Sequence, residues 1–320
     1  MVDVSVIVCT YNRAESLRET IESLSKQKTD GCSYEVIVVD NNSKDHTKNI
    51  AQSFNGKVKY VFESRQGLSY ARNTGIREAK GQIIAFTDDD VIVDFNWVSS
   101  LYRCFKETKA FAVGGKIERL WNCERPEWLS DEIMGPLIAQ DLGTVRKRWD
   151  QKNRHMIGAN MAFHHHVFEK NGVFREELGR KGDALIGGED REIFGRIFDD
   201  NVPIFYEPGA VVHHKVEQER LSKDYMRRWF WDIGKTLGHE MKFKWTYAFT
   251  IAPLWLWTKL FKAYFYFINV NFKPGSKESE QFSAEMWARH YTAMLIERIV
   301  HWLPFKSGMS KCVFSIKEGL

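Results

Sequence analysis

The chain has 320 residues, 43% hydrophobic and 14% aromatic, enough for the core of one large domain or two, which excludes global disorder. A net charge of +4 is only mildly basic, and no nucleic-acid partner is expected. Five scattered cysteines (Cys9, Cys32, Cys104, Cys123, Cys312) contain no Cys-x-x-Cys pair, which fits a reducing compartment and offers no structural zinc set.

Met1-Val2-Asp3 runs straight into an apolar run with no basic leader, so no cleaved signal peptide is expected. That run, Val4 to Cys9, stops at Thr10-Tyr11-Asn12. Two later runs behave alike: Val36 to Val39 stops at Asp40-Asn41-Asn42-Ser43, and Ile83 to Phe86 stops at Thr87-Asp88-Asp89-Asp90. β-Branched runs without alternation predict strands buried on both faces, as in a parallel sheet under helices. Ligands of such sheets sit beyond the strands' C-terminal ends, so three strands deliver polar groups to one rim. Between them the spacing of Leu17, Ile21 and Leu24 predicts a helix over 14–28, with Asn12 as its N-cap. Further helices are expected near Lys44 to Phe54 and from Gly67 to before Gly81, with Gly81 as a C′ glycine. The strand–helix alternation predicts an α/β fold.

The pattern loosens after Phe111. Val113–Ile117 is a candidate strand, and the Trp/Pro-rich stretch from Trp121 to Pro136 reads as a loop. Gly187-Gly188-Glu189-Asp190 precedes a helix over Arg191–Asp199, and Ala210–Val212 is a strand ending at His213-His214. The last hundred residues show helical spacing and many aromatics, with a boundary near Leu221.

Several side chains carry candidate chemistry. Asp88 and Asp90, two apart at a strand end, can both reach one Mg2+ or Mn2+; the alternative is an acidic turn capping a helix. Asp40 can accept from a nucleoside base or ribose, or form an Asx-turn. Glu189 and Asp190 open a helix, whose N-terminus favours ionised carboxylates as caps; beside a metal on the same rim they suit a general base. One of His213 and His214 can complete a metal sphere while alternation turns the other away; both can equally be strand-edge histidines. Arg72 can pair with a phosphate or lie on a solvated helix face. His164-His165-His166 reads as a surface run.

Taken in order, these segments resemble the family 2 glycosyltransferases. The matching text is Ser5 to Arg13, Glu35 to Ser43, Ala71 to Ile76, Phe86 to Asp90 and Gly187 to Asp190, spread over about residues 4–215. The resemblance implies a GT-A fold: a Rossmann-like, mainly parallel mixed sheet flanked by helices. Residues 1–220 would form the catalytic domain, with a nucleotide half to about 110 and an acceptor half beyond. Residues 221–320 would be a helical extension. It implies a nucleotide-diphospho-sugar donor, with uridine as the base, held by Thr10, Tyr11, Asn12, Asp40, Arg72, Asp88 and Asp89. Mn2+ or Mg2+ would sit on Asp88, Asp90 and His213 or His214, with Asp190, beside Glu189, as the base of an inverting transfer. Asn160 and Gly188 would line the pocket, and the acceptor would be a glycan or lipid-linked sugar. Tyr225 to Trp229 only faintly resembles the element of processive synthases, which favours single addition.

The competing readings are a sugar-phosphate nucleotidyltransferase and a non-catalytic nucleotide-sugar-binding protein. The first wants a glycine-rich loop after the first strand, where Thr10 to Arg13 has none; the acids Asp88, Asp90 and Asp190 argue against the second. Residues 243–272 hold twelve aromatics, but the charge-free part, Trp245–Thr258, has 14 residues, short of the ~20 that span a bilayer. With lysines at its margin the segment is expected to lie on the inner face of the cell membrane, giving a cytoplasmic, peripheral protein; the alternative is a buried core helix. The basic Arg146-Lys147-Arg148 stretch can assist at anionic headgroups or lie solvated.

Overall fold

A computed structural model describes residues 2–150, 155–182, 187–241 and 252–302. The chain divides into two compact units, Met1–Arg125 with Met134–Leu221, and Pro126–Ile133 with Ser222–Leu320.

In the first unit three apolar runs form parallel neighbours: β1 (Val4–Thr10), β2 (Tyr34–Asp40) and β4 (Ile83–Asp88). Among the described residues the sheet runs β3-β2-β1-β4-β8-β6-β9-β5, where β3 is Lys59–Phe62, β5 Val91–Val93, β6 Ala112–Trp121, β8 Met161–His164 and β9 Ile204–Val216. The short β7 (Lys147–Arg148) pairs with β9 off this path. Strands β8, β5 and β7 run antiparallel to their neighbours, so the sheet is mixed.

Period-two alternation splits the core. Val4, Val6 and Val8 pack with Leu17, Ile21 and Leu24 of α1 (Ala14–Leu24) and with Trp97 and Leu101 of α4 (Trp97–Thr108). Ile7 faces the other way, with Ile37, Ile84 and Phe86, onto α3 (Leu68–Glu78) and α6 (Glu189–Asp199). Each buried Leu, Ile or Val contributes about 1.5–3 kcal/mol. The helices α2 (Thr47–Ser53) and α5 (His166–Asn171) are short.

Two local expectations are corrected. Asn12 does not cap α1: it is left-handed at φ 53°, its Oδ1 accepts from the Lys44 N–H, and Asp45 Oδ2 accepts from the Ala14 N–H. Gly81 is not the C′ residue, because α3 ends at Glu78; a Cβ at Gly81 would stand 2.5 Å from the Ser5 nitrogen, so close approach to β1 requires it.

Asn160 is likewise no pocket wall. It is fully buried, its Oδ1 accepting from Trp97 Nε1 (2.9 Å) and its Nδ2 donating to the carbonyls of Lys116 and Ala210 (2.8 Å each). Those carbonyls flank the register shift between β6 and β9, so the amide pins the irregularity. Asn160→Ala strands three buried groups and is expected to lower stability by about 2–4 kcal/mol, measured by urea unfolding.

Arg146 pairs with Glu207 and Glu107, so it is not free for headgroups.

In the second unit α7 (Lys223–Glu240), α8 (Leu254–Phe272) and α9 (Glu278–Trp302) pack together. Gly234 and Gly238, one turn apart, bring α7 so near α9 that a Cβ on either would stand 2.5 Å from the carbonyl oxygen of His290 or Met294. Trp128 meets Phe282 edge-on at 4.9 Å and ties the 126–133 segment to α9. Leu256 packs on Met294 and Leu295, while Leu254, Phe261, Phe265, Ile268 and Phe272 leave an exposed stripe on α8. Among the described residues no helix is long and apolar enough to cross a membrane. Residues 242–251, the start of the aromatic segment, lie outside the described residues.

Candidate active site

Parallel register brings the strand ends level: Thr10 pairs with Asp40, and Cys9 with Asp88. Thr10 is buried, with no hydrogen-bond partner for its hydroxyl among the described residues; Tyr11 is half-buried and Asn12 exposed. Asp40 is buried; its Oδ1 accepts from the Ser43 N–H and its Oδ2 from the Tyr60 hydroxyl, both at 2.8 Å. Burial first, then this carboxylate, pushes the Tyr60 hydroxyl up and keeps it protonated. Asp40 thus makes a local turn contact three residues on but does not open α2, where Asp45 accepts from the Thr47 N–H, and each Asp40 oxygen keeps a second lone pair for a ligand.

Asp88, Asp90 and His214 each place one ligand atom within 4.8 Å of the others. Asp88 is 30% exposed and Asp90 is 3% exposed at the side chain. Burial alone would raise Asp90, but His214, Arg220 and Arg13 outweigh it and hold the carboxyl well below the usual range. Asp89 is buried, 3.7 Å from Arg13, and its carboxyl is pushed up to about 7, by burial above all.

The donor set fits a divalent cation. Asp90 Oδ1 is buried, 3.3 Å from His214 Nε2, and has no hydrogen-bond partner among the described residues. His214 Nδ1 lies 3.2 Å from the Lys215 carbonyl and donates to it, so Nε2 turns toward the carboxylate, carrying a proton in the charged imidazole and a lone pair in the neutral one. Two lone pairs face each other stably only with a proton or a cation between them. Two carboxylates and one imidazole, with no thiolate, suit Mn2+ or Mg2+. Strand alternation decides between the histidines: His213 points away and lies 3.4 Å from Glu118, while β9 runs on to Val216.

Arg72 is buried and does not present itself to a nucleotide. Its Nη1 donates to Glu189 Oε1 at 2.6 Å, and its Nη2 stands 3.9 Å from Asp88 Oδ1. A Cβ at Gly158 would lie 2.2 Å from that Nη2, so the glycine leaves it room. Glu189 is thus spent in a buried ion pair rather than free for proton transfer; burial pushes its carboxyl up against the pull of Arg72. Gly188 enters α6 at φ 100°, a left-handed conformation that suits glycine. The accessible carboxylate is Asp190, 17% exposed at its side chain. Its Oδ2 accepts from the Gly158 N–H (3.2 Å) and its Oδ1 from the Arg191 N–H (2.7 Å), at the first turn of α6.

Sequence reasoning misses Arg13, Glu217 and Arg220. Arg13 Nη1 donates to Asp90 Oδ2 at 2.8 Å and Arg220 Nη2 donates to the same oxygen; both guanidiniums also meet Glu217. The run His164 to His166 starts α5 at the opposite end of β4, where His165 and His166 both reach Glu169.

Comparison with known proteins bears on the family and the fold. Residues 5–172 match the profile of glycosyl transferase family 2. A glucosyl-dolichyl phosphate glucuronosyltransferase of Haloferax volcanii is 29% identical over 235 residues, 71% of this chain and 74% of its own length. A succinoglycan biosynthesis protein of Rhizobium meliloti is 26% identical over 242 residues, 73% of this chain and 74% of its own. The crystal structure of GalNAc-T7 with UDP, GalNAc and Mn2+ superposes with a TM-score of 0.54 at 18% identity, over 75% of this chain and 52% of that one. A Pyrobaculum calidifontis mannosyltransferase with GDP-Man and Mn2+ gives 0.51 at 16%, over 98% and 78%. The fold is that of a GT-A glycosyltransferase. The chain belongs to glycosyl transferase family 2.

Proposed function

We propose that this chain is an inverting, metal-dependent transferase. It moves a sugar from a nucleotide-diphospho-sugar, a uridine donor first among candidates, to a hydroxyl on a glycan or lipid-linked sugar. One observation carries the reading: the buried Arg72 guanidinium stands 3.9 Å from Asp88 and packs against Gly158, whose N–H donates to Asp190 Oδ2, so the metal-ligand set and Asp190 flank one guanidinium. Thr10, Tyr11 and Asp40 hold the nucleoside. Asp88, Asp90 and His214 hold Mn2+ or Mg2+, which when bound neutralises the charge on the departing diphosphate. Asp190 orients the acceptor hydroxyl and takes its proton. The acceptor oxygen bonds to the anomeric carbon from the face opposite the diphosphate, and the breaking carbon–oxygen bond leaves its electron pair on the diphosphate. The test is release of nucleoside diphosphate from a donor panel, with and without EDTA, with the product anomer read by NMR; retention of configuration would overturn the inverting assignment.

The acceptor class draws on the relatives: one acts on a dolichyl phosphate sugar and another in succinoglycan biosynthesis. Within this reading the chain works in surface polysaccharide or glycolipid assembly at the cytoplasmic membrane face. The exposed stripe of α8 supports this placement, with Phe265 74% and Phe272 83% exposed, no acidic residue in the helix, and Lys259, Lys262 and Lys273 at the surface. Phe265→Ser with Phe272→Ser should weaken co-sedimentation with anionic vesicles about tenfold or more. Equal pelleting of both proteins would remove α8 as the anchor.

A further inference from the structure

The carboxylate Asp90 has two oxygens in different surroundings, and the difference is built by Arg13, Glu217 and Arg220. Its Oδ2 accepts from Arg13 Nη1 at 2.8 Å and from Arg220 Nη2. Glu217 Oε2 closes the ring, 2.8 Å from Arg13 Nη2 and 3.4 Å from Arg220 Nε. The four residues come from the turn after β1, the turn after β4, and the chain just beyond β9. Among the described residues Asp90 Oδ1 has no hydrogen-bond partner, and His214 Nε2 stands 3.3 Å from it.

We propose that Arg13 and Arg220, joined through Glu217, are positioning residues that hold Asp90 Oδ2 so that Oδ1 stays open, beside Asp88 and His214, for a divalent cation. The inference rests on the metal-dependent reading above. An unrestrained carboxylate exchanges its two oxygens by rotation about χ2. Two guanidiniums on one oxygen remove that symmetry, because each fork engages a second acceptor at the same time. A lysine in either place supplies a charge but no fork. Stability alone is a poor reason for the arrangement: a buried ion-pair cluster is often no better for the fold than apolar side chains of the same volume. Groups that orient a metal ligand are worth about 10–100-fold in metal affinity.

The experiment is a Mn2+ titration of the full chain in the presence of UDP, following free Mn2+ by electron paramagnetic resonance, with melting temperature recorded for each protein. Arg220→Gln and Arg13→Gln are expected to weaken Mn2+ binding about 10–100-fold, with Arg220→Lys between them and wild type. Arg13 is 30% exposed, so Arg13→Gln decides the matter if Arg220→Gln fails to fold. A folded glutamine variant that binds Mn2+ within about twofold of wild type overturns the proposal. So does weakening that tracks melting temperature alone and is not relieved by lysine. Wild type that binds no Mn2+ overturns the metal-dependent reading itself, and the positioning role with it.

Discussion

Asp190→Asn is expected to lower turnover by about 100- to 10,000-fold, the usual contribution of a general base. The amide keeps the size of the carboxylate and can still accept one of the two backbone N–H bonds from Gly158 and Arg191. What it loses is basicity. The side chain is partly open, with His155 Nε2 3.8 Å from its Oδ1, so the melting temperature and the response to nucleoside diphosphate should stay near wild type. Initial rates of nucleoside diphosphate release, beside a thermal-shift titration of the same variant, separate the two effects. A variant that keeps a tenth or more of wild-type turnover, a larger remnant than loss of a general base leaves, would move the base elsewhere.

Asp90 should show the largest combined effect. Asp90→Ala removes a metal ligand and the shared partner of Arg13 and Arg220, of which Arg220 is only 6% exposed. Removing one partner of a buried pair costs about 3–5 kcal/mol, and Glu217, which still meets both guanidiniums, places the loss at the low end. That is a fall of about 6–12 °C in melting temperature for a unit of this size. Asp90→Asn retains the shape and part of the hydrogen bonding, so its fall should be smaller, yet it should lose Mn2+-dependent stabilisation by nucleotide as completely as the alanine variant. An asparagine variant with the full Mn2+-dependent shift would contradict the ligand assignment.

Much of this was legible in the sequence because buried parallel strands announce themselves. Unalternating runs such as Val4 to Cys9 have no solvated face, and their polar ends mark the rim. Asp88 and Asp90 lie where that reasoning places them, and alternation foretold that His213 and His214 face opposite ways. Which histidine turns inward depends on the pairing of β9 with β5 and β6, a tertiary fact. The errors have the same origin. Asn12 looks like a helix cap by local rules, but Asp45, 31 residues away, takes the Ala14 N–H. Arg72 looks like a ligand contact until Glu189, 117 residues on, claims it. Arg13 closes the first matching segment while Glu217 and Arg220 lie in none, and nothing announces that the three meet, since a fork on a distant carboxylate leaves no periodicity or spacing to read.

The most direct test of the account is a thermal-shift screen of the purified chain against UDP, GDP, TDP and CMP, with and without Mn2+. A ligand that binds only the folded state must raise the melting temperature. The account predicts a shift with one nucleoside diphosphate that requires Mn2+ and disappears in Asp90→Asn. Well-folded protein that responds to none of the nucleotides, with or without the metal, would contradict it.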